Sequence, residues 1–97
     1  MPTYLLLTRW TDQGIRNLKE SPERVRRAEE AFQRLGARLT AWYLTMGPYD
    51  NAAIVEAPDD ATMAKLALSL TSQGNVQTTT LKAFSREEFE QIVQDLG

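Results

Sequence analysis

Ala37-Arg-Leu-Thr-Ala-Trp-Tyr-Leu-Thr-Met46, Gly47-Pro48-Tyr49-Asp50 and Asn51-Ala-Ala-Ile-Val-Glu-Ala57 together decide the fold. Two runs rich in apolar residues, 37–46 and 51–57, flank a short connection, which reads as an antiparallel hairpin. Proline suits the second position of a tight turn, and tyrosine in the third favours type I over type II. This turn also sets a phenol beside a carboxylate.

Upstream, residues 3–10, Thr-Tyr-Leu-Leu-Leu-Thr-Arg-Trp, lie between Pro2 and the turn-prone Thr11-Asp12-Gln13-Gly14 and read as a buried strand. A short helical turn is expected over Ile15–Leu18. Ser21-Pro22-Glu23 then offers a capping hydroxyl, proline at the first helical position and an acid in the first turn, predicting a helix over 22–35. Val25, Ala28, Phe32 and Leu35 form its apolar stripe, and Gly36 suits a left-handed cap. Downstream, Pro58-Asp59-Asp60 opens a second helix with an inward stripe of Met63, Leu66, Ala67 and Leu70, closed by Gly74-Asn75. A threonine-dense strand follows over 76–84. Ser85-Arg86-Glu87-Glu88 matches a reciprocal capping box before a last helix with Phe89, Ile92, Val93 and Leu96 on one stripe.

The resulting order is α+β: a ferredoxin-like βαββαβ unit with an extra C-terminal helix, whose four-stranded antiparallel sheet carries its helices on one face. Alternation divides each strand into two sets, since residues two apart share a side. The sets are Leu5/Leu7/Arg9 and Tyr4/Leu6/Thr8/Trp10 in the first strand, then Leu39/Ala41/Tyr43 and Arg38/Thr40/Trp42/Leu44/Met46 in the second. In the last they are Val76/Thr78/Thr80/Lys82/Phe84 and Gln77/Thr79/Leu81/Ala83. Neither side is wholly polar. Both faces are therefore expected to be covered, one by the helices and most of the other by a second subunit. Alternation leaves open which set faces which side.

Composition narrows the chemistry. A chain of 97 residues is expected to be one domain, 1–97, burying roughly 60–65% of its unfolded surface. Thirteen acidic and eleven basic side chains leave a net charge of −2, so nucleic acid is not expected as a partner. No apolar run approaches the ~20 residues of a membrane span, and no secretory leader is recognisable at the start. A cytoplasmic location is the expectation. With neither cysteine nor histidine, a disulfide framework, a Cys-His pair and a His-based triad are excluded. No cofactor or metal is expected; Asp59-Asp60 is read as helix capping rather than as a cation cluster.

The residues also resemble the GYD-domain family, small bacterial and archaeal proteins named for a Gly-x-Tyr-Asp-like signature. Gly47, Tyr49 and Asp50 carry the likeness with Glu56-Ala57-Pro58-Asp59-Asp60, Gly74-Asn75-Val76, Thr78-x-Thr80-Leu81 and Ala83-Phe84-Ser85. Trp10-Thr11-Asp12-Gln13-Gly14 is similar to the family's opening turn. The likeness spans essentially the whole chain and implies a ferredoxin-like fold related to the dimeric α/β-barrel proteins, whose paired sheets pack face to face. It implies no established reaction. Lys82 stands where the family pattern suggests arginine, which keeps the charge but loses bidentate geometry.

Candidate site residues each carry two readings. Tyr49 and Asp50 are first turn residues; functionally, they are a hydrogen-bond donor and a base at a pocket mouth. Trp42 is a strand aromatic or the wall of a planar-ligand pocket. Thr78, Thr80 and Lys82 share one strand face, suited to an anionic or carbonyl ligand or simply to β-structure. Arg24, Arg26 and Arg27 form the one basic cluster, expected to be neutralised by Glu23, Glu29 and Glu30 on an exposed helix. The leading expectation is a homo-oligomer with a small-organic-ligand pocket near the hairpin. The alternatives are a cofactor-independent enzyme, monooxygenase-like or isomerase-like, and a structural or regulatory interaction module.

Overall fold

The computed structural model describes residues 1–97. Strands β1 (Thr3–Trp10), β2 (Arg38–Leu44), β3 (Asn51–Glu56) and β4 (Val76–Ala83) form one sheet in the order β2-β3-β1-β4, with every pairing antiparallel. Helices α1 (Asp12–Arg16), α2 (Ser21–Arg34), α3 (Asp60–Thr71) and α4 (Arg86–Asp95) complete the α+β, ferredoxin-like architecture. No helix is long and apolar enough to cross a membrane.

Local signals explain most boundaries. Asp59 caps α3 by accepting from the Thr62 amide at 2.8 Å, satisfying one of the free N–H groups at the helix start. Ser85 and Glu88 form the expected capping box of α4. Gly36, at φ 77°, ends α2 in a Schellman arrangement: its amide reaches Gln33 O, and that of Ala37 reaches Phe32 O. Ser21, by contrast, does not cap α2. A 3-10 turn over Leu18–Glu20 runs straight into it, leaving Ser21 in helical conformation as the first residue. The helical turn expected at 15–18 accordingly begins earlier, as α1, with Thr11 as its cap.

Register assigns the faces. Tyr4, Leu6 and Thr8 of β1 and Asn51, Ala53 and Val55 of β3 are buried beneath the helices, level with Val76, Thr78, Thr80 and Lys82 of β4. In β2 the simple alternation fails. A bulge lies between Leu39, paired with Val55, and Ala41, paired with Ile54, so these two residues occupy opposite faces. The Thr40 hydroxyl donates to Ile54 O at 3.1 Å, satisfying a carbonyl beside the irregularity. Beyond the bulge Trp42 turns to the helix side, and Tyr43 to the other.

The core collects at one end of the helix–sheet interface. Tyr4, Leu6, Phe32, Ala37, Ala53, Val55, Ala57, Met63 and Leu66 form its single buried cluster. The opposite sheet face has no helix over it. Two apolar rows cross it, Ala41–Ile54–Leu5–Leu81 and Tyr43–Ala52–Leu7, the latter ending on Thr79. Tyr43 is 62% exposed and Leu81 46%. Helix α4 is exposed along its whole length, including Phe89, Ile92, Val93 and Leu96. The radius of gyration, 14.7 Å, exceeds the ~12.5 Å expected for a compact chain of this length, as an outstanding helix requires.

Candidate functional site

The expected site residues fall into three places. Tyr49 and Asp50 sit in a six-residue loop, 45–50, closed by the Thr45 amide on Asp50 O at 2.9 Å. No hydrogen bond closes the tight turn expected over 47–50, because the Asp50 amide donates to Thr8 O at 2.8 Å instead. The Asp50 carboxylate accepts from the Trp10 amide at 2.9 Å. Both contacts tie the loop to the end of β1. Tyr49 contributes its carbonyl, which accepts from the Thr45 hydroxyl at 2.7 Å.

Thr80 and Lys82 line a shallow hollow against α3, at the end of the sheet where Tyr4 lies. The Lys82 ammonium stands 3.1 Å from the Asp60 carboxylate, and the buried Tyr4 hydroxyl donates to the same group. Burial first, then this hydrogen bond, pushes the Tyr4 phenol up to about 12. The Tyr4 hydrogen bond first, then Lys82, holds the Asp60 carboxyl below its usual range. Lys82 is thus engaged within the chain. Thr78 shares the strand face with these residues but lines neither this hollow nor the one beneath α2.

A second and more enclosed hollow, of about 420 Å3, lies at the other end of the interface, between α2 and the sheet. Trp42 lines it, on an edge strand that the helix layer does not fully cover. Its floor carries the buried Thr8 and Asn51, whose side chains are joined by a hydrogen bond from the threonine hydroxyl to Asn51 Oδ1. Its roof is the half of α2 that presents Val25, Ala28 and Ala31. These short side chains leave the space above the sheet open, while Phe32, further along the stripe, reaches the core.

The charge on the wall departs from the expectation of a neutralised helix. Only Arg26 is ion-paired, to Glu23. Arg24, Arg27 and Arg34 line the hollow, which has no carboxylate among its lining residues. Arg24 Nη1 donates to Asn17 O at 2.9 Å, and its Nη2 is buried with no partner. Arg24 was expected only as part of an exposed, ion-paired cluster, and Asn51 was not singled out from the sequence. The available signal was the arginine spacing 24, 27, 34 along one helix edge, interleaved with the alanines.

Two motifs of the family likeness meet beside this hollow, to whose lining they contribute Trp10, Asn75 and Val76. Thr11 N donates to Asn75 O at 3.0 Å, its hydroxyl to Gly74 O at 2.6 Å, and Gln13 Nε2 to Asn75 Oδ1 at 3.0 Å. A Cβ on Gly14 would stand 2.1 Å from Asn75 O, so this clasp needs glycine. The opening turn and the Gly74-Asn75 segment form one structural joint.

Comparison with known proteins agrees with this architecture. The chain is 43% identical over 84 residues to the glutamine synthetase and cystathionine beta-lyase binding protein of Thermus thermophilus, covering 86% of this chain and 88% of that one. The crystal structure of TTHA0845, also from Thermus thermophilus, matches with a TM-score of 0.57 and 28% identity, over 88% of this chain and 95% of that one. The GYD domain matches residues 4–93, which takes in the hairpin loop, the α1 clasp and all four strands. The chain belongs to the GYD domain family.

Proposed function

We propose that the protein is a cytoplasmic, homo-oligomeric interaction module that docks onto enzymes. The uncovered sheet face carries the reading. Its two apolar rows, with Leu5, Ile54, Tyr43 and Leu81 exposed, make a patch of about 400 Å2 for four strands of ordinary length and spacing, near the upper end of what a soluble monomer displays. A second copy of this chain is its proposed occupant. A standard interface takes ~800 Å2 from each partner, so the face alone supplies about half. The stripe of α4 is the other apolar surface at hand, and its arm-like exposure suits reaching across to a neighbour. The enzyme-docking part is supported by the name of the Thermus thermophilus relative, a glutamine synthetase and cystathionine beta-lyase binding protein.

Light scattering at micromolar concentration tests the assembly: the wild type should run as a dimer or larger, and Leu81→Lys as a monomer with its fold intact. A wild-type monomer overturns the assembly. Interferometry against glutamine synthetase and cystathionine beta-lyase of the same host tests the docking, which fails if neither enzyme binds.

A second reading is favoured by the hollow under α2. At about 420 Å3 it falls within the range of small-molecule pockets, and Trp42 offers a flat wall. In this reading the module also binds a small organic molecule, through which its docking can be controlled. Enzyme turnover by Tyr49, Asp50 and Trp42 acting together has less support, since of the three only Trp42 lines the hollow.

A further inference from the structure

We propose that the hollow beneath α2 is a site for a small organic anion, a planar aryl body bearing one carboxylate, with Arg24 as its charge partner. The inference rests on the second reading above, that the hollow holds a small molecule, and adds the chemical class.

Arg24 sets the charge. The chain as a whole is negative, at −2, yet the charged side chains of this wall are all arginines. A guanidinium stays protonated at any physiological pH, so Arg24 cannot relieve its buried, unpartnered Nη2 by losing charge. Leaving such a donor unmade costs about 1–3 kcal/mol, and more for a charged group. Neighbouring Arg26 has taken Glu23, and no acid lines the hollow to serve Arg24. Its Nη1 bond to Asn17 O fixes the guanidinium plane with one edge spare. That nitrogen is closed to solvent in the empty hollow, and a turn of the flexible arginine stem brings it to a carboxylate oxygen from outside the chain.

A second donor comes from the opposite wall. Asn51 is 6% exposed, and its Oδ1 is occupied by the Thr8 hydroxyl, which leaves its amide N–H2 to serve a ligand. Elsewhere in the lining Asn75 Oδ1 is engaged with Gln13, and Gln73 Nε2 with Ser69 O. Arg24 and Asn51 thus each offer a donor, as an anion requires.

Shape sets the remainder of the ligand. Trp10 and Trp42 stand in walls otherwise made by Leu6, Phe32, Leu39 and Val76, surfaces on which a flat apolar body gains dispersion and stacking energy. The volume lies toward the lower end of the pocket range, suited to an aryl acid. Arg27 and Arg34, exposed on the same lining, stand at the mouth and raise the local concentration of anions.

The test uses one flat body with three charges: cinnamate, cinnamamide and cinnamylamine. The only tryptophans of the chain, Trp10 and Trp42, both line the hollow, so their fluorescence reads occupancy, with calorimetry giving affinity. On wild-type protein cinnamate should bind at least about tenfold more tightly than cinnamamide, the ratio expected of one charged hydrogen bond, and cinnamylamine most weakly. Arg24→Gln should collapse the acid-to-amide ratio towards one while leaving the amide affinity in place. Because the ratio is taken within each protein, a variant that loosens the fold weakens both ligands equally; the wild-type ratio decides even if Arg24→Gln does not fold. Equal binding of acid and amide overturns the anion inference but leaves the pocket reading standing. Binding of none of the three overturns both.

Discussion

The two ends of the helix–sheet interface are built on the same strands and under the same helices, yet one has a closed core with only a shallow surface hollow beside it, and the other holds its hollow between helix and sheet. At the packed end Tyr4, Ala53 and Val55 meet Phe32, Met63 and Leu66, all nearly inaccessible to solvent. At the hollow end Thr8, Asn51 and Trp42 face Val25, Ala28 and Ala31 across about 420 Å3. The sheet changes from apolar to hydrogen-bonded polar, and the roof from long side chains to short ones. Protein interiors otherwise fill to crystal-like density. The contrast separates two tasks: stability is concentrated at one end, and volume for a guest is kept at the other.

The largest effect should come from a matched pair on α3. Leu66 is fully buried, whereas Leu70, one turn on, borders the hollow. Leu66→Ala is expected to cost about 2–5 kcal/mol by denaturant unfolding, and Leu70→Ala about 1 kcal/mol, because its side chain already adjoins empty space. Equal losses would break the comparison.

Gly14→Ala comes next. Its new methyl would collide with Asn75 O, and the clasp should open at a cost of about 1–3 kcal/mol, visible as a lower melting temperature. An unchanged melting temperature would mean that the clasp does not support the hollow end.

Tyr4 tests how dry the packed end is. The folded phenol ionises at about 12 and the unfolded one at about 10. Between them the unfolded chain releases a proton that the folded chain retains, so this contribution is full below about pH 10 and is lost as pH rises towards 12. Wild type should therefore lose about 1 kcal/mol more than Tyr4→Phe between neutrality and pH 11. Parallel stability curves would contradict a dry core at this position.

The smallest change should be a gain. Ala31→Leu adds a branched side chain over the hollow and is expected to raise stability by about 0.5–1 kcal/mol, as cavity filling commonly does, while blocking cinnamate quenching. A loss of stability would show that the roof has no slack.

Much of the fold was legible because its signals are local. The α3 cap at Asp59, the Ser85–Glu88 box and the Gly36 terminator each act within a few residues, and all appear as expected. The β2 bulge was not legible, since nothing in Leu39-Thr40-Ala41 breaks alternation until β3 sets the pairing. Ser21 failed as a cap for a similar reason: the 3-10 turn before it continues the helix, removing the extended backbone that a cap requires. Of the candidate site residues, Trp42 reaches the hollow under α2, Thr80 and Lys82 the shallow one against α3, and Tyr49 and Asp50 the loop. Residue type had grouped side chains that the fold holds apart.

By itself the sequence determined the order of strands and helices, the family, and the absence of thiol and imidazole chemistry, because periodicity, caps and composition are properties of neighbours along the chain. Only the tertiary structure decided which strand face meets the helices, which arginine keeps a free edge, and where the helix layer stands off the sheet. Those depend on side-chain lengths and pairings across elements distant in sequence, where a single bulge or three short roof residues redirect the packing of an entire end.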